Sequence, residues 1–379
     1  TKGDRVLALK SFQDSLTVRQ KLVEVEPNNA DGQNNLSLSF DNIARIYQAN
    51  GDNPAALKAF QDSLAISQKL ATLEPNNTQW QRNLADSLNN VGEMHKTNGD
   101  NALALKAFQD SLAINQTLAK LDPDNTYRQR ELSVSFNKIG DVFQANDDDA
   151  SALKAFQDSL GIILKLTQLD PNNTLWQDDL AVSFDNIGDV AQQNGNNTVA
   201  LEALQGALNV RQKLAQLDPD NTDWQRGLSV SFERVGSIHQ ANGDNAAALK
   251  ALQDSLGIRQ KLVQLDPTNT QWQRDLSVSF YVLGGIYQAS ADKPAALKAL
   301  QDSLDISKKL AELDPSNSQW QLDVAINCYE IAQLQPGKHD ELLRDALAIF
   351  EKLQRENRLP EDKKVWFVAT QQALNSDKP

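Results

Sequence analysis

Three histidines and one cysteine are the side chains that could hold a transition metal or act as a nucleophile, and their spacing suits neither role. His95, His239 and His339 lie far apart, and no His-Glu-x-x-His or Cys-x-x-Cys brings two ligands onto one helix face. Cys328 has no second thiol to pair with, so no internal disulfide forms and an oxidising compartment gains no support. The run Asp147-Asp148-Asp149 could begin a calcium loop, but the following Gly and the distal bidentate Glu are missing. There is no Gly-rich phosphate loop with its Lys and no nucleophile elbow. Neither metal nor cofactor is expected, catalytic residues: none, and the chain reads as non-enzymatic.

Composition narrows the partners. Apolar residues make up 40% and charged residues 23% of the 379, with 12 prolines and 17 glycines, a globular balance that leaves most of the chain free to be helical. Lys and Arg number 37 against 50 Asp and Glu, a formal charge of −13, which argues against nucleic acid or an anionic membrane as the main partner, because both attract a positive face. No apolar run approaches the length that spans a bilayer, and Thr1-Lys2-Gly3-Asp4 is not the start of a signal peptide. A cytoplasmic location is the expectation.

The elements that position any site come from an internal repeat. Acid-Pro pairs fall at Glu26-Pro27, Glu74-Pro75, Asp122-Pro123, Asp170-Pro171, Asp218-Pro219, Asp266-Pro267 and Asp314-Pro315, always 48 residues apart. Halfway between them stand turn pairs: Gly51-Asp52, Gly99-Asp100, Asp147-Asp148, Gly195-Asn196, Gly243-Asp244 and Ala291-Asp292. Two breakers per period mean two segments, and both carry a helical rhythm. From Thr78 to Thr97 the residues Trp80, Leu84, Leu88, Val91 and His95 recur in steps of three and four, and Asn-Asn-Thr supplies an N-cap. From Asn101 to Leu121 the pattern continues through Leu105, Phe108, Leu112, Ile114 and Leu118. Short connections force consecutive helices to pack antiparallel. By the same phase, Asn76-Asn77-Thr78 is a helix start rather than a glycosylation site.

Within each period the residues resemble the tetratricopeptide repeat, whose pattern is a large residue, Leu, Gly and an aromatic on the first helix, then Ala-x-x-x-Phe on the second. Here it reads Leu88, Val91, Gly92, His95, Ala104, Phe108; then Phe136, Ile139, Gly140, Phe143, Ala152, Phe156; and it recurs from Phe40, Phe184, Phe232 and Phe280. The resemblance covers about residues 3 to 353 and implies an all-α fold, a right-handed α-solenoid of stacked antiparallel helix pairs. The small residue is expected to let two backbones approach. His95 and His239 then occupy the aromatic wedge and Cys328 an apolar core position. The unit departs from the usual 34 residues by about fourteen, which carry Trp80, Trp176, Trp224, Trp272 and Trp320, read as clamps between adjacent units.

The resemblance also implies that first helices line a concave groove. Two residues before the small one stand Asn42, Asn90, Lys138, Asn186, Arg234 and Val282, a partial asparagine ladder similar to that of kinesin light chains. An amide both donates and accepts, so such a ladder pairs with the backbone of an extended peptide. With the neighbouring register the candidate groove residues are Asn42, Arg45, Asn89, Asn90, Glu93, Asn137, Asp141, Asp185, Asn186, Asp189, Glu233, Tyr281 and Tyr329. The acids clustered through Asp141, Asp185, Asp189 and Glu233 suit a basic segment, and the tyrosines an apolar anchor.

The expected organisation is a repeat array over 1–355, its first unit lacking a first helix, and a capping helix within 356–379, around Asp362 to Leu374. Thr1 to Asp4 match Thr97 to Asp100 in phase, which suggests a fragment cut at its N-terminus. The wording Asp-Pro-x-Asn, Trp-Gln-Arg and Leu-Ser-Val-Ser resembles bacterial repeat arrays joined to proteases, NTPases and Toll-type domains. The leading expectation is a protein-interaction scaffold or sensor that binds a protein or peptide, the C-terminal arm of a larger signalling or effector protein. The alternative is a self-associating scaffold or filament subunit.

Overall fold

The structure, a computed structural model, describes residues 2–335, 337 and 339–376. Among them every regular element is helical. They fall into two compact units, one ending at Asn194 and one beginning at Gly195. The first holds α1 (Lys2–Val25), α2 (Ala30–Ala49), α3 (Asn53–Leu73), α4 (Thr78–Thr97), α5 (Asn101–Leu121), α6 (Thr126–Ala145), α7 (Asp149–Leu169) and α8 (Thr174–Gln193). The second holds α9 (Asn197–Leu217), α10 (Thr222–Ala241), α11 (Asn245–Leu265), α12 (Thr270–Ala289), α13 (Lys293–Leu313), α14 (Ser318–Leu334), α15 (His339–Arg355) and α16 (Lys364–Ser376). Within each unit consecutive helices pack antiparallel, so both are stacks of helix pairs.

The punctuation sets the helix ends by hydrogen bonding. The Oδ1 of Asn77 accepts from the backbone N–H of Gln79 and Trp80, and Asn29, Asn125, Asn173, Asn221, Asn269 and Asn317 cap their helices in the same way. The glutamine after each Trp or its substitute closes the Acid-Pro turn from the other side: Gln81 Nε2 donates to the Pro75 carbonyl at 3.2 Å and Gln177 Nε2 to that of Pro171 at 3.0 Å. Trp80 lies buried in one cluster with Leu70 and Ala71 of α3, against which Ala30 of α2 also packs, so it fastens one pair to the next.

Small residues on the first helices are sockets for side chains. A Cβ on Gly92 would stand 2.6 Å from Cε1 of Phe108, and one on Gly140 2.5 Å from Cε1 of Phe156. The sequence suggested an approach of two backbones. At Gly236 and Gly284 the carbonyls of Ala248 and Ala296 do come within 3.3 and 3.6 Å of the site of a Cβ, whereas at Gly92 and Gly140 the nearest atoms belong to the aromatic ring of the following helix, which drops into the space. Phe108 shares one buried cluster with Ile139 and Val142 of α6 and Ala155 of α7. Buried serines join the same crossings: Ser37 with Ser63 at 3.0 Å, Ser67 with Ser87 at 2.9 Å and Ser133 with Ser159 at 2.8 Å. Each hydroxyl satisfies the other, so the crossing stays tight without an orphaned polar group.

Asp147-Asp148-Asp149 is the mid-repeat turn. Asp147 has φ +58°, where Gly51, Gly99, Gly195 and Gly243 stand in the other repeats, and Asp148 accepts from Ser151 N–H as the N-cap of α7. Ala291 holds the same left-handed position at φ +59°. That conformation costs an L-residue roughly 1–2 kcal/mol, of which the extra freedom of glycine in the unfolded chain returns about half. Ala291→Gly is therefore expected to stabilise the chain by about 0.5–1 kcal/mol, read as a higher urea midpoint. A midpoint that stays put or falls would show that the turn bears no strain.

The C-terminal segment also differs in detail from the expectation. A 3-10 turn at Glu361–Lys363 precedes α16, so the helix expected around Asp362 to Leu374 starts later and runs further. Pro360 caps that turn in extended conformation. Cys328 is fully buried in the core of the second unit, where burial pushes its thiol up to about 11.

Candidate functional site

The turn geometry gives α2, α4 and α6 one common face, and there a cavity of about 360 Å³ opens. Its lining includes Asp41 and Arg45 from α2, Asp86, Asn89, Asn90 and Glu93 from α4, and Glu131 and Lys138 from α6. Four carboxylates meet two cations in it. Lys138 Nζ donates to Glu93 Oε1 and so neutralises one of the acids. Asp86 has a looser partner in Arg82, whose Nε lies 3.8 Å from its Oδ2. Burial is the main reason that the carboxyl of Asp86 is pushed up to about 6; the Arg82 guanidinium opposes the shift, while the charges of Glu131 and Asp41 add to it. Asp41 is also raised, by burial first, against a hydrogen bond from Ser63 and the charge of Arg45. Asp41 Oδ1 and Asn89 Oδ1 are buried acceptors without a hydrogen-bond partner. Such atoms favour a group that brings N–H donors and positive charge.

Of the residues singled out from the sequence, this cavity gathers Arg45, Asn89, Asn90 and Glu93. Asn42 is exposed on α2 outside its lining. Asn137 is half-buried on α6, with Oδ1 buried and without a partner. Asp141 receives Lys96 Nζ at 2.7 Å. Asp185 is buried on α8, and Asn186 and Asp189 beside it are half-buried; none of the three lines the cavity. In the second unit Glu233 is held by the guanidinium of buried Arg259. Tyr281 is half-buried, its phenol pushed up to about 12 by burial and the charge of Glu330. Tyr329 packs edge-on against Trp366 of α16, centroids 5.4 Å apart at 81°. The chain's own C-terminal helix thus covers one of the two tyrosines read as anchors.

Sequence reading missed a ladder of ion pairs along the first helices. Arg130 Nε meets Asp179 Oδ2 at 2.5 Å, Arg226 Nε meets Asp275 Oδ2 at 2.6 Å, and Arg274 Nε meets Asp323 Oδ2 at 2.9 Å. Each arginine reaches an acid 49 residues on, one period plus one. A comparison at the bare period sets these arginines against Asp178, Arg274 and Leu322 and so does not show the pairing. The signal was the acid directly after the Arg column. Asp86 and Glu131 were missed for another reason: Asp86 lies one turn and Glu131 about two turns before the ladder positions Asn90 and Lys138 of their helices.

His95 Nδ1 lies 3.5 Å from Asp100 Oδ2 and His239 Nδ1 3.7 Å from Asp244 Oδ2, each at the turn after its helix. Among the described residues no group of three or more His, Cys, Asp or Glu side chains could hold a metal ion. Nor is any described helix long and apolar enough to cross a membrane.

The tetratricopeptide-repeat family model matches residues 37–71 and 84–124. No curated protein matches the sequence. Among solved structures, the apo form of RapI is similar over 98% of this chain and 98% of its own, at 10% identity and a TM-score of 0.60. BtubC (BKLC) from P. vanneervenii is similar over 68% of this chain and 92% of its own, at 17% identity and a TM-score of 0.54. At such identities the likeness is one of fold.

Proposed function

We propose that this chain, a protein of tetratricopeptide repeats, is a non-catalytic interaction module that receives an extended, basic segment of a partner protein along the first-helix face. Repeats of this kind generally serve as protein–protein interaction scaffolds, which present long binding surfaces. The observation that carries the finer reading is the cavity of α2, α4 and α6, where buried acceptors on Asp41 and Asn89 stand beside Asp86 and Glu131. A lysine or arginine side chain supplies what they lack, and the amides of Asn89 and Asn90 suit the backbone of the same segment. On the likeness of its repeat wording to bacterial arrays, we read the chain as the C-terminal arm of a larger signalling or effector protein.

The test uses a fluorescein-labelled nonapeptide of alternating serine and lysine, with norleucine in place of lysine as control. Asp86 is protonated below about pH 6 in the free chain and ionised above it. A bound ammonium favours the ionised form, so affinity is expected to rise as pH rises through 6. Asp86→Asn should flatten that dependence and weaken binding about tenfold at pH 7, the worth of one charge-assisted hydrogen bond. Equal affinity for the norleucine peptide would refute the reading.

One observation favours a second reading, the self-associating scaffold. The leucine that ends α3, α5, α7, α9, α11 and α13 is exposed, Leu73, Leu121 and Leu169 in the first unit and Leu217, Leu265 and Leu313 in the second, between 66% and 72%. A column of apolar side chains at equivalent places offers equivalent contacts to another copy. A scattering mass that grows with concentration, and that Leu121→Lys with Leu169→Lys returns to the monomer value, is the expected result of that reading. A mass independent of concentration removes it.

A further inference from the structure

In the second unit α12, α14 and the start of α16 enclose a cavity of about 250 Å³. It is smaller than the roughly 300–1,000 Å³ of drug-sized sites, and it suits a single ring system. Val278, Tyr281, Ile326 and Trp366 give it an apolar and aromatic side, alongside polar groups that include Ser277, Ser303 and Asn327. Tyr329 fixes Trp366 in a T-shaped contact, so that wall is set before any ligand arrives.

Asn327 supplies the polar point. It is 3% exposed, and its Nδ2 donates to the carbonyl of Asp323 at 2.8 Å. That bond fixes the amide orientation, because the flipped form would set oxygen against oxygen. The Oδ1 is then a buried acceptor without a partner. A buried acceptor left unsatisfied costs about 1–3 kcal/mol, which a donor in the cavity returns.

The charges around the cavity decide what kind of donor fits. Asp323 already accepts from Arg274 Nε at 2.9 Å and from Gln319 Nε2 at 2.9 Å, and Lys363 is paired with Asp362 at 3.0 Å. A cationic ligand would bring a further positive charge beside Arg274 and Lys363. An anion would face the oxygens of Asn327 and Asp323. What remains is a neutral donor on an apolar body.

We infer that this cavity binds a neutral aromatic ring carrying one N–H or O–H donor, of the size of an indole, which lies against Trp366 and donates to Asn327 Oδ1. The ring reaches the site either as a small molecule or as the side chain of a bound protein segment. The inference stands apart from the basic-segment reading, which concerns a different cavity in the other unit.

Calorimetry on the full chain tests it with three probes: indole, 1-methylindole, and an acetylated Gly-Trp-Gly amide. Indole is expected to bind saturably and 1-methylindole about tenfold more weakly, since methylation removes the one donor and leaves the acceptor unpaired. Asn327→Leu should erase that difference, and Val278→Trp, which fills the cavity, should abolish binding of both while helicity and Tm persist. A tripeptide tighter than indole assigns the ring to a bound segment, and the reverse order assigns it to a small molecule. Should Asn327→Leu fail to fold, the indole pair on the unaltered chain together with Val278→Trp still decides. Equal affinity for indole and 1-methylindole, binding unaffected by Val278→Trp, or no saturable binding of indole overturns the inference.

Discussion

Phe108→Ala is expected to lower the unfolding free energy by about 3–5 kcal/mol, the range for removing a fully buried aromatic ring. Phe108 is 0% exposed, its ring occupies the space that a Cβ on Gly92 would need, and it belongs to one buried cluster with Ile139 and Val142 of α6 and Ala155 of α7. The truncation therefore opens a void between two helix pairs, and in a stacked array each pair is stabilised chiefly by its neighbour. Lys138 adds to the cost, because its ammonium lies 5.5 Å from the ring centroid and loses that face. Phe108→Leu should cost far less, about 1 kcal/mol. The array already uses that solution: Leu252 fills the socket of Gly236 at 3.1 Å from the site of a Cβ, and Leu300 that of Gly284 at 2.7 Å. Urea denaturation measures both changes, and hydrogen exchange across α4 to α6 should show where protection is lost. A loss below about 1 kcal/mol for the alanine variant would mean that the ring is not what joins the pairs.

How far the sequence reveals this molecule depends on whether a feature is local or shared between repeats. Helices expected at Thr78 to Thr97 and Asn101 to Leu121 have those bounds in the structure, because local features mark the ends: the Asn77 cap starts the first, the left-handed Gly99 turn separates the two, and the Asp122-Pro123 turn ends the second. The small residue and its partner Phe were also legible as a motif. The socket they form was not, since spacing says that two residues matter without saying which atoms meet. The face of the first helices could be listed by register, yet the state of its side chains depends on neighbours one repeat away. Glu93 pairs with Lys138 and Asp141 with Lys96, whereas Asp41 and Asn89 keep unpaired acceptors. Burial that raises Asp86 comes from three helices together and has no mark in α4 alone. A further column shows the same limit. The second serine of the Leu-Ser-Val-Ser wording is met 20 residues upstream by Ser67, Asn115, Arg211 or Arg259, each bonding to its own serine. Residues so unlike do not look equivalent in a sequence, although they fill one place in the fold.

Arg259→Ile is expected to destabilise the second unit by about 3–5 kcal/mol, the cost of leaving a largely buried charge without its partner. Arg259 is 4% exposed, and its guanidinium bonds to Glu233, to Ser279 Oγ at 2.7 Å and to the carbonyl of Asp275 at 2.8 Å. Glu233, with 20% of its side chain exposed, then faces the protein interior alone. The array contains an uncharged version of this pair: Ile163 and Asn137 occupy the positions of Arg259 and Glu233 two repeats earlier, and Ile163 is fully buried. The double variant Arg259→Ile with Glu233→Asn reproduces that pair and should recover more than half of the loss, because no charge is left behind; the donors to Ser279 and Asp275 are the part not restored. A double-mutant cycle by urea denaturation should therefore give a coupling of about 2–3 kcal/mol between the two sites. Additive effects would mean that Glu233 is not bound by Arg259 in solution. It would then join the acids free to receive a basic ligand, the role its place on the first-helix face suggests and its ion pair denies it.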